Sequence, residues 1–361
     1  MTERVLTLRE LNRTLLARQL LLERARLTAP RAIERIGALQ AQFSPSPYIA
    51  LWSRLEDFSF DELEQALADR LVVKATLMRA TLHIVSRDDY WTISAALTEA
   101  RLARAARRFT DLDVHAVVEQ LLELAAAGPI DRQEFYAVLD AATGGGVKLN
   151  ELFPLWATVL LRAELVHDLP SGSYGYYRAA TLSPAASRLG DRPSLPADPL
   201  AHLLERYLAA FGPATSEDIA SWTGLQAGEC RAALESLDRR TFRDERGRLL
   251  HDLPDAPLAE PDTPAPPRLL PKWDSALLAY APPERERILP ERYRKTVIRK
   301  NGDVLPTFLV DGFVAGTWSL GKREVKLEPF GRLSRPAGAA LQDEGARLLD
   351  AVATRSGAAP A

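Results

Sequence analysis

Cysteine is almost missing: Cys230 is the one copy in 361 residues. That excludes a disulfide framework and any cysteine-ligated zinc or iron–sulfur site. Aromatic residues reach only 7%, so a core must rest mainly on Leu, Val, Ile and Ala. No apolar run approaches the roughly 18–20 residues that a membrane span needs; the longest is broken by Arg162 and Glu164. Met1-Thr2-Glu3-Arg4 lacks the apolar segment of a secretory signal, and the expectation is a cytoplasmic protein. The five histidines, His83, His115, His167, His202 and His251, show no metal-ligand spacing. Gly144-Gly145-Gly146-Val147-Lys148 lacks the spacing and the Ser/Thr of a phosphate loop, and no G-x-S-x-G elbow is present. No metal and no organic cofactor is called for.

Lysine is scarce as well, with seven copies against 39 arginines. The formal net charge is only −2, so distribution is more telling than total. Residues 285–335 carry 12 basic against 6 acidic side chains, and residues 1–35 carry 8 against 4. Two basic regions on a near-neutral chain point to a polyanion-facing surface.

The length predicts two or three domains, and one boundary is plain. Residues 253–267 hold six prolines, Pro254, Pro257, Pro261, Pro264, Pro266 and Pro267, which read as an extended connector. Just before it, Leu200, Leu203, Leu204, Tyr207, Leu208 and Phe211 mark one helix face, which Gly212-Pro213 ends. Thr215-x-x-Asp218 opens a second helix, Gly224 turns the chain, and Cys230, Ala233, Leu234 and Leu237 mark a third. A hairpin over residues 241–250 completes the order of a winged helix-turn-helix. The same order recurs upstream: a helix over 112–126, a capped helix from Asp131-x-x-Glu134, a glycine turn, a helix over 151–163 and a hairpin over 165–178. The first hundred residues fit a looser version. Thr7-x-x-Glu10, Thr28 with Pro30 and Ser59-x-x-Glu62 start its helices, a hairpin covers 72–85, and a helix begins at Asp88. Repetition of one architecture three times is a stronger signal than any one copy. Beyond the connector, strands are predicted over 296–299, 304–310, 313–318 and 324–327, with an Asn301-Gly302 hairpin turn and a closing helix over 339–352. The fold class is therefore mainly α with β: three tandem winged helix-turn-helix modules and a small C-terminal β-barrel-like region. The expected divisions are 1–110, 111–196, 197–252, 253–267 and 268–361, with a disordered tail at 356–361.

The chemistry concentrates in residues 36–55. Gln40-Ala41-Gln42, together with Thr76-Leu77-Met78-Arg79-Ala80-Thr81-Leu82-His83, Leu269-Leu270-Pro271-Lys272-Trp273-Asp274 and residues 306–318, resembles the AlkZ/YcaQ-type winged-helix DNA glycosylases. Their signature is Gln-Φ-Gln or Gln-Φ-Asp, where Φ is apolar. Ala41 is a small choice for the middle position, and Ala80 stands where that family usually has glycine. The resemblance spans nearly the whole chain in order. It implies tandem winged helices, no cofactor, and a monofunctional DNA glycosylase, nucleoid-associated, acting on double-stranded DNA with N7-alkylated purines. Bulky adducts or interstrand crosslinks from a natural-product genotoxin belong to that substrate class.

Glutamine suits such a reaction on physical grounds. N7 alkylation makes the purine a cation and a good leaving group, so no general acid is needed. What remains is to place a water at the sugar C1′, and an amide offers one carbonyl acceptor and two N–H donors. Residues two apart share a face only in extended backbone, whereas on a helix they diverge by about 200°. Gln40 and Gln42 acting together therefore require the chain to leave its helix there, and Ser44-Pro45 favours that. Alternatives stay open at this point. The glutamines could instead close the end of a helix. Arg79 and His83, on one face of a hairpin, could contact phosphates or the lesion, or brace each other. Arg294, Lys295 and Arg299 read as a solvated face or as DNA-backbone contacts. Trp52 and Trp91 read as core. The protein is expected to be a monomer, and the rival from another class is a non-catalytic winged-helix DNA binder such as a regulator.

Overall fold

The computed structural model describes residues 3–355; the expected tail at 356–361 lies outside them. Three helix starts follow directly from the sequence. Thr7, Asp131 and Thr215 each accept from the backbone at the third residue on, while Glu10, Glu134 and Asp218 reach back, giving reciprocal capping boxes. Ser59 precedes Phe60–Ala68 without a side-chain cap. Glu62 is used elsewhere, accepting from the Ala29 amide at 2.8 Å and so tying this helix to Ala29–Ile36.

The N-terminal part places a three-stranded antiparallel sheet, in the order Leu39–Gln40, Leu82–Ser86, Val72–Thr76, among the helices Ala29–Ile36, Ser46–Arg54, Phe60–Ala68 and Arg87–Arg108. Residues 114–162 form the helices Val114–Ala127, Arg132–Ala142 and Leu149–Arg162 around their own core of Leu121, Phe135, Leu139, Leu155 and Leu160. Strand Leu165–His167 follows them, but its partner is Leu182–Pro184. The return strand therefore lies beyond the expected 165–178, because the Gly- and Tyr-rich stretch remains a loop.

Helices Pro199–Phe211, Ser216–Thr223 and Ala227–Glu235 lead into the hairpin Arg240–Asp244 with Leu249–Asp252. Val5–Leu6 adds to that hairpin as a parallel third strand. One core joins these distant stretches: Leu15, Leu77, Tyr207, Phe211, Trp222, Tyr280 and Leu289 are all buried in it. Each large apolar side chain so buried contributes about 1.5–3 kcal/mol. A buried, two-pronged ion pair, Arg18 to Asp252 at 2.7 and 2.9 Å, ties the first helix to the end of the hairpin. Among the described residues no helix is long and apolar enough to cross a membrane.

The C-terminal region corrects two expectations. Its four strands form an open antiparallel sheet, in the order Val325–Pro329, Phe313–Leu320, Thr307–Val310, Arg268–Leu270, and not a closed barrel. The outer strands are short, and helix Arg335–Ala353 packs against both of them, so the sheet gains cover from a helix instead of from closure. Residues 296–299 are not a strand: Glu291–Val297 is a helix, started by Pro290 and supported by the Glu291–Arg294 ion pair. Its packing overrides the β-branched run. The Asn301-Gly302 turn survives in reduced form, with an isolated bridge between Ile298 and Val304.

Candidate active site and nucleic-acid interface

Gly37 sets up the site. It ends helix Ala29–Ile36 at φ +90°, where a Cβ would stand 3.2 Å from Ala210 and Phe211, and redirects the chain into strand Leu39–Gln40. The segment has left its helix before Gln40, as expected, with Gln40 extended opposite His83 and the Ala41 amide donating to the Leu82 carbonyl at 2.7 Å, while Gln42 already lies in a bend. The ladder ends at Ala41, and the two glutamines meet different surroundings. Gln40 is buried and accepts through Oε1 from Arg79 Nη2 at 2.7 Å. Gln42 is exposed and lines a cleft of about 460 Å³.

That cleft also takes Ser44, Lys74 and Thr76 from the N-terminal part, and Tyr136, Phe153, Trp156 and Tyr177 from the second part. Phe153 stacks on Trp156 with ring centroids 5.5 Å apart, and Trp156 stacks on Tyr136. Phe153 and Tyr177 keep 42% and 66% of their surface exposed, unusual for rings and open to a stacking partner. No aspartate or glutamate is among the described lining residues. Burial alone lowers the Lys74 ammonium to about 8, and burial, with Lys74 nearby, lowers His167 to about 3. The cleft therefore offers aromatic faces and neutral or cationic polar groups.

Arg79 does not sit on a hairpin strand beside His83, as alternation predicts. The strands are joined by a 3₁₀ turn, Met78–Ala80, whose Arg79 and Ala80 have φ +52° and +58°. Ala80 holds the left-handed conformation that glycine adopts without strain. The tip is pinned from outside: Arg79 Nη1 donates to the Trp222 carbonyl at 2.7 Å, and Gly224 lies so close that a Cβ there would stand 2.9 Å from Arg79 Cα. His83 is buried, and its Nδ1 lies 2.9 Å from the Thr81 carbonyl. Burial first, then the Arg79 charge, lowers it to about 3, so it is neutral at physiological pH.

Arg294, Lys295 and Arg299 lie at the helix Glu291–Val297 and just beyond it. Lys295 and Arg299 are exposed, whereas Arg294 is half-buried against Glu291 at 2.8 Å. Arg285 lies close enough to both Arg294 and Arg79 for their like charges to repel, and burial with the Arg294 charge lowers its pKa. Sequence reading missed Arg285, and also Arg101, Arg104 and Arg108, which line a second cleft with Arg79. Their spacing of three and four along helix Arg87–Arg108 was the available signal. It missed Lys74 and the aromatic wall too, because those residues meet only in three dimensions.

The C-terminal motifs brace the glutamine segment. Asp274 holds Arg54 through two bonds of 2.9 and 2.8 Å, both side chains being buried. Ser275 donates to the Ala38 carbonyl at 2.9 Å, and Lys272 Nζ lies 5.6 Å from the Phe43 ring. Asp311, in the turn of residues 306–318, pairs with Arg9 at 2.8 Å and also with Arg13. Trp52 and Trp91 are buried, as the sequence indicates.

Comparison with known proteins places this architecture. The chain is 24% identical over 355 residues, 92% of its length and 93% of the other's, to an interstrand DNA cross-link repair glycosylase of Streptomyces sahachiroi. Its fold matches the solved structure of Streptomyces sahachiroi DNA glycosylase AlkZ with a TM-score of 0.79, at 22% identity and 97% coverage of both chains. The model of the family described as DNA glycosylase AlkZ-like matches residues 33–351, and the chain belongs to that family.

Proposed function

We propose that this protein is a DNA glycosylase that hydrolyses the N-glycosidic bond of N7-alkylated purines, including bulky adducts and interstrand crosslinks. The observation that carries this reading is the cleft at Gln42: an amide beside aromatic walls, with no carboxylate in its described lining. An N7-alkylated purine is already cationic, so it departs without a general acid, and the site has only to hold the base and place a water. Stacking on Phe153, Trp156 or Tyr177 supports the base or the aromatic part of an adduct, and the cleft volume lies in the usual range for such ligands. Gln42 orients the attacking water. Gln40, held by Arg79, fixes the strand from which Gln42 projects. His83 supports the same strand pair as a neutral group, and Arg79, Arg294, Lys295 and Arg299 face the DNA backbone.

The reading includes three winged helices at 1–110, 111–196 and 197–252, the connector 253–267 and the sheet region 268–361. It also includes a monomer, since three unequal parts in one chain do not need the symmetric dimer of a regulator. The name of the Streptomyces sahachiroi relative supports crosslinks as substrates. The test is incubation with a duplex containing N7-methylguanine, followed by alkaline cleavage of abasic sites. Strand breaks at the modified base are expected; binding without breaks would leave a regulator. Hydrolysis by water alone makes the enzyme monofunctional. Lys74 is the one lysine among the described residues of the cleft lining, so borohydride trapping on abasic duplex checks this: no covalent complex is expected, and a complex lost in Lys74→Arg would assign a lyase instead.

A further inference from the structure

The hairpin tip Met78–Ala80 separates two clefts, with Ala80 lining both. The second, about 410 Å³, is lined by Arg79, Arg101, Arg104 and Arg108, with no carboxylate among its described lining residues. Three of these arginines lie on one face of helix Arg87–Arg108. Their partners are few. Arg101 donates through Nη2 to the Leu77 carbonyl, but its buried Nη1 has no hydrogen-bond partner. Arg104 reaches Glu229 only at 4.0 Å, and the Arg108 guanidinium lies 5.7 Å from the Phe109 ring. Burial and the neighbouring Arg104 lower Arg101 to about 10, and burial and Arg285 lower Arg79 likewise, so both remain charged at neutral pH. Four cations around one cavity, one of them with an unmet donor, are complementary to a group with several anionic oxygens.

We propose that this cleft is a phosphodiester clamp: Arg101, Arg104 and Arg108 hold a backbone phosphate of bound DNA, and Arg79 carries that contact to Gln40. The second half rests on the glycosylase reading; the first does not. A phosphate seated here adds acceptors beside Arg79, whose two ends already hold Gln40 and the Trp222 carbonyl. Backbone engagement on one side of the tip thereby stiffens the strand that presents Gln42 on the other. Arg101 is a positioning residue in this scheme, since it acts on the reaction through Leu77 and the tip.

The experiment uses the full chain and two variants, Arg104→Gln with Arg108→Gln, and Arg101→Gln. Fluorescence anisotropy with undamaged duplex between about 50 and 300 mM salt measures binding independently of excision. The double variant is expected to bind about 10-fold or more weakly, with a salt slope flatter by about one, because the one phosphate that is no longer neutralised removes about one. Arg101→Gln is expected to lower single-turnover excision at saturating enzyme several-fold more than it lowers affinity, and Arg101→Lys to restore part of it. Unchanged affinity and slope in the double variant would overturn the clamp; both residues are exposed, so folding is not at stake. Arg101→Gln losing affinity and excision equally would overturn the link to Gln40. If inorganic phosphate raises the thermal midpoint of the unaltered protein, but not of the double variant, while both bind duplex equally, the cleft is a free-anion site and the clamp is wrong. Absence of excision with the binding changes intact would sink the glycosylase reading and leave the clamp standing.

Discussion

Arg79 and Gln40 are bonded side chain to side chain, Nη2 to Oε1 at 2.7 Å, across 39 positions of sequence. The first glutamine of the pair is therefore a buried anchor, while the second is the one open to a cleft. This division makes their substitutions distinguishable.

Replacing Gln42 with Ala is expected to lower excision by about 10²-fold, the size of a positioning defect, with thermal midpoint and duplex affinity unchanged. Gln40→Ala strands a half-buried guanidinium donor, and stability should fall by about 1–3 kcal/mol together with activity. Calorimetry beside single-turnover excision on N7-methylguanine duplex checks both. Equal thermal losses in the two variants would return both residues to a structural role.

The hairpin tip should respond to glycine at its two contact points in opposite ways. Ala80→Gly relieves a left-handed alanine at φ +58° and is expected to stabilise by about 1 kcal/mol. Gly224→Ala places a Cβ 2.9 Å from Arg79 Cα at φ +80°. It should destabilise by more than about 1 kcal/mol and reduce excision by shifting Arg79. Denaturant midpoints measure the first effect, and midpoints with excision rates the second.

His83 and His167 are each lowered to about 3, by burial first and by Arg79 and Lys74 respectively after it. The unfolded chain thus binds more protons than the folded one between about pH 6.5 and 3. Their contribution is complete above pH 6.5 and is lost as pH falls, at up to about 1.4 kcal/mol per pH unit for each. Excision should stay level from pH 6.5 to 7.5. A rate inflection near pH 6.5 that vanishes in His83→Gln would show a titrating catalytic histidine instead.

The Arg54–Asp274 pair is fully enclosed, so removing one partner leaves a buried charge. Asp274→Ala is expected to cost about 3–5 kcal/mol and to destabilise the segment on both sides of Gln40, measured as a thermal midpoint. A shift too small to resolve would show that Ser275 and the surrounding core suffice.

Replacing Arg294, Lys295 and Arg299 together should weaken binding to all duplex sequences alike and flatten the salt dependence by about one for each phosphate these side chains neutralise. Arg294 is partly satisfied by Glu291, so the exposed pair Lys295 and Arg299 carries most of the change. An unchanged salt slope would remove this helix from the DNA surface.

The sequence by itself determined the helices that start at Thr7, Asp131 and Thr215, the hairpin over 72–85 and the chain's departure from its helix before Gln40. These follow from local caps, alternation and a helix-ending glycine, interactions that span a few residues. It also determined the family, because the motifs stand in order along the chain. Only the tertiary structure decided that Gln40 bonds to Arg79 while Gln42 lines one cleft with Phe153 and Trp156, and that Arg101 and Arg104 join Arg79 around another. It likewise decided that residues 291–297 coil into a helix and that the C-terminal strands stay an open sheet. In each case the deciding interaction comes from a distant part of the chain, and it outweighs a local preference of only about 1 kcal/mol or less per residue.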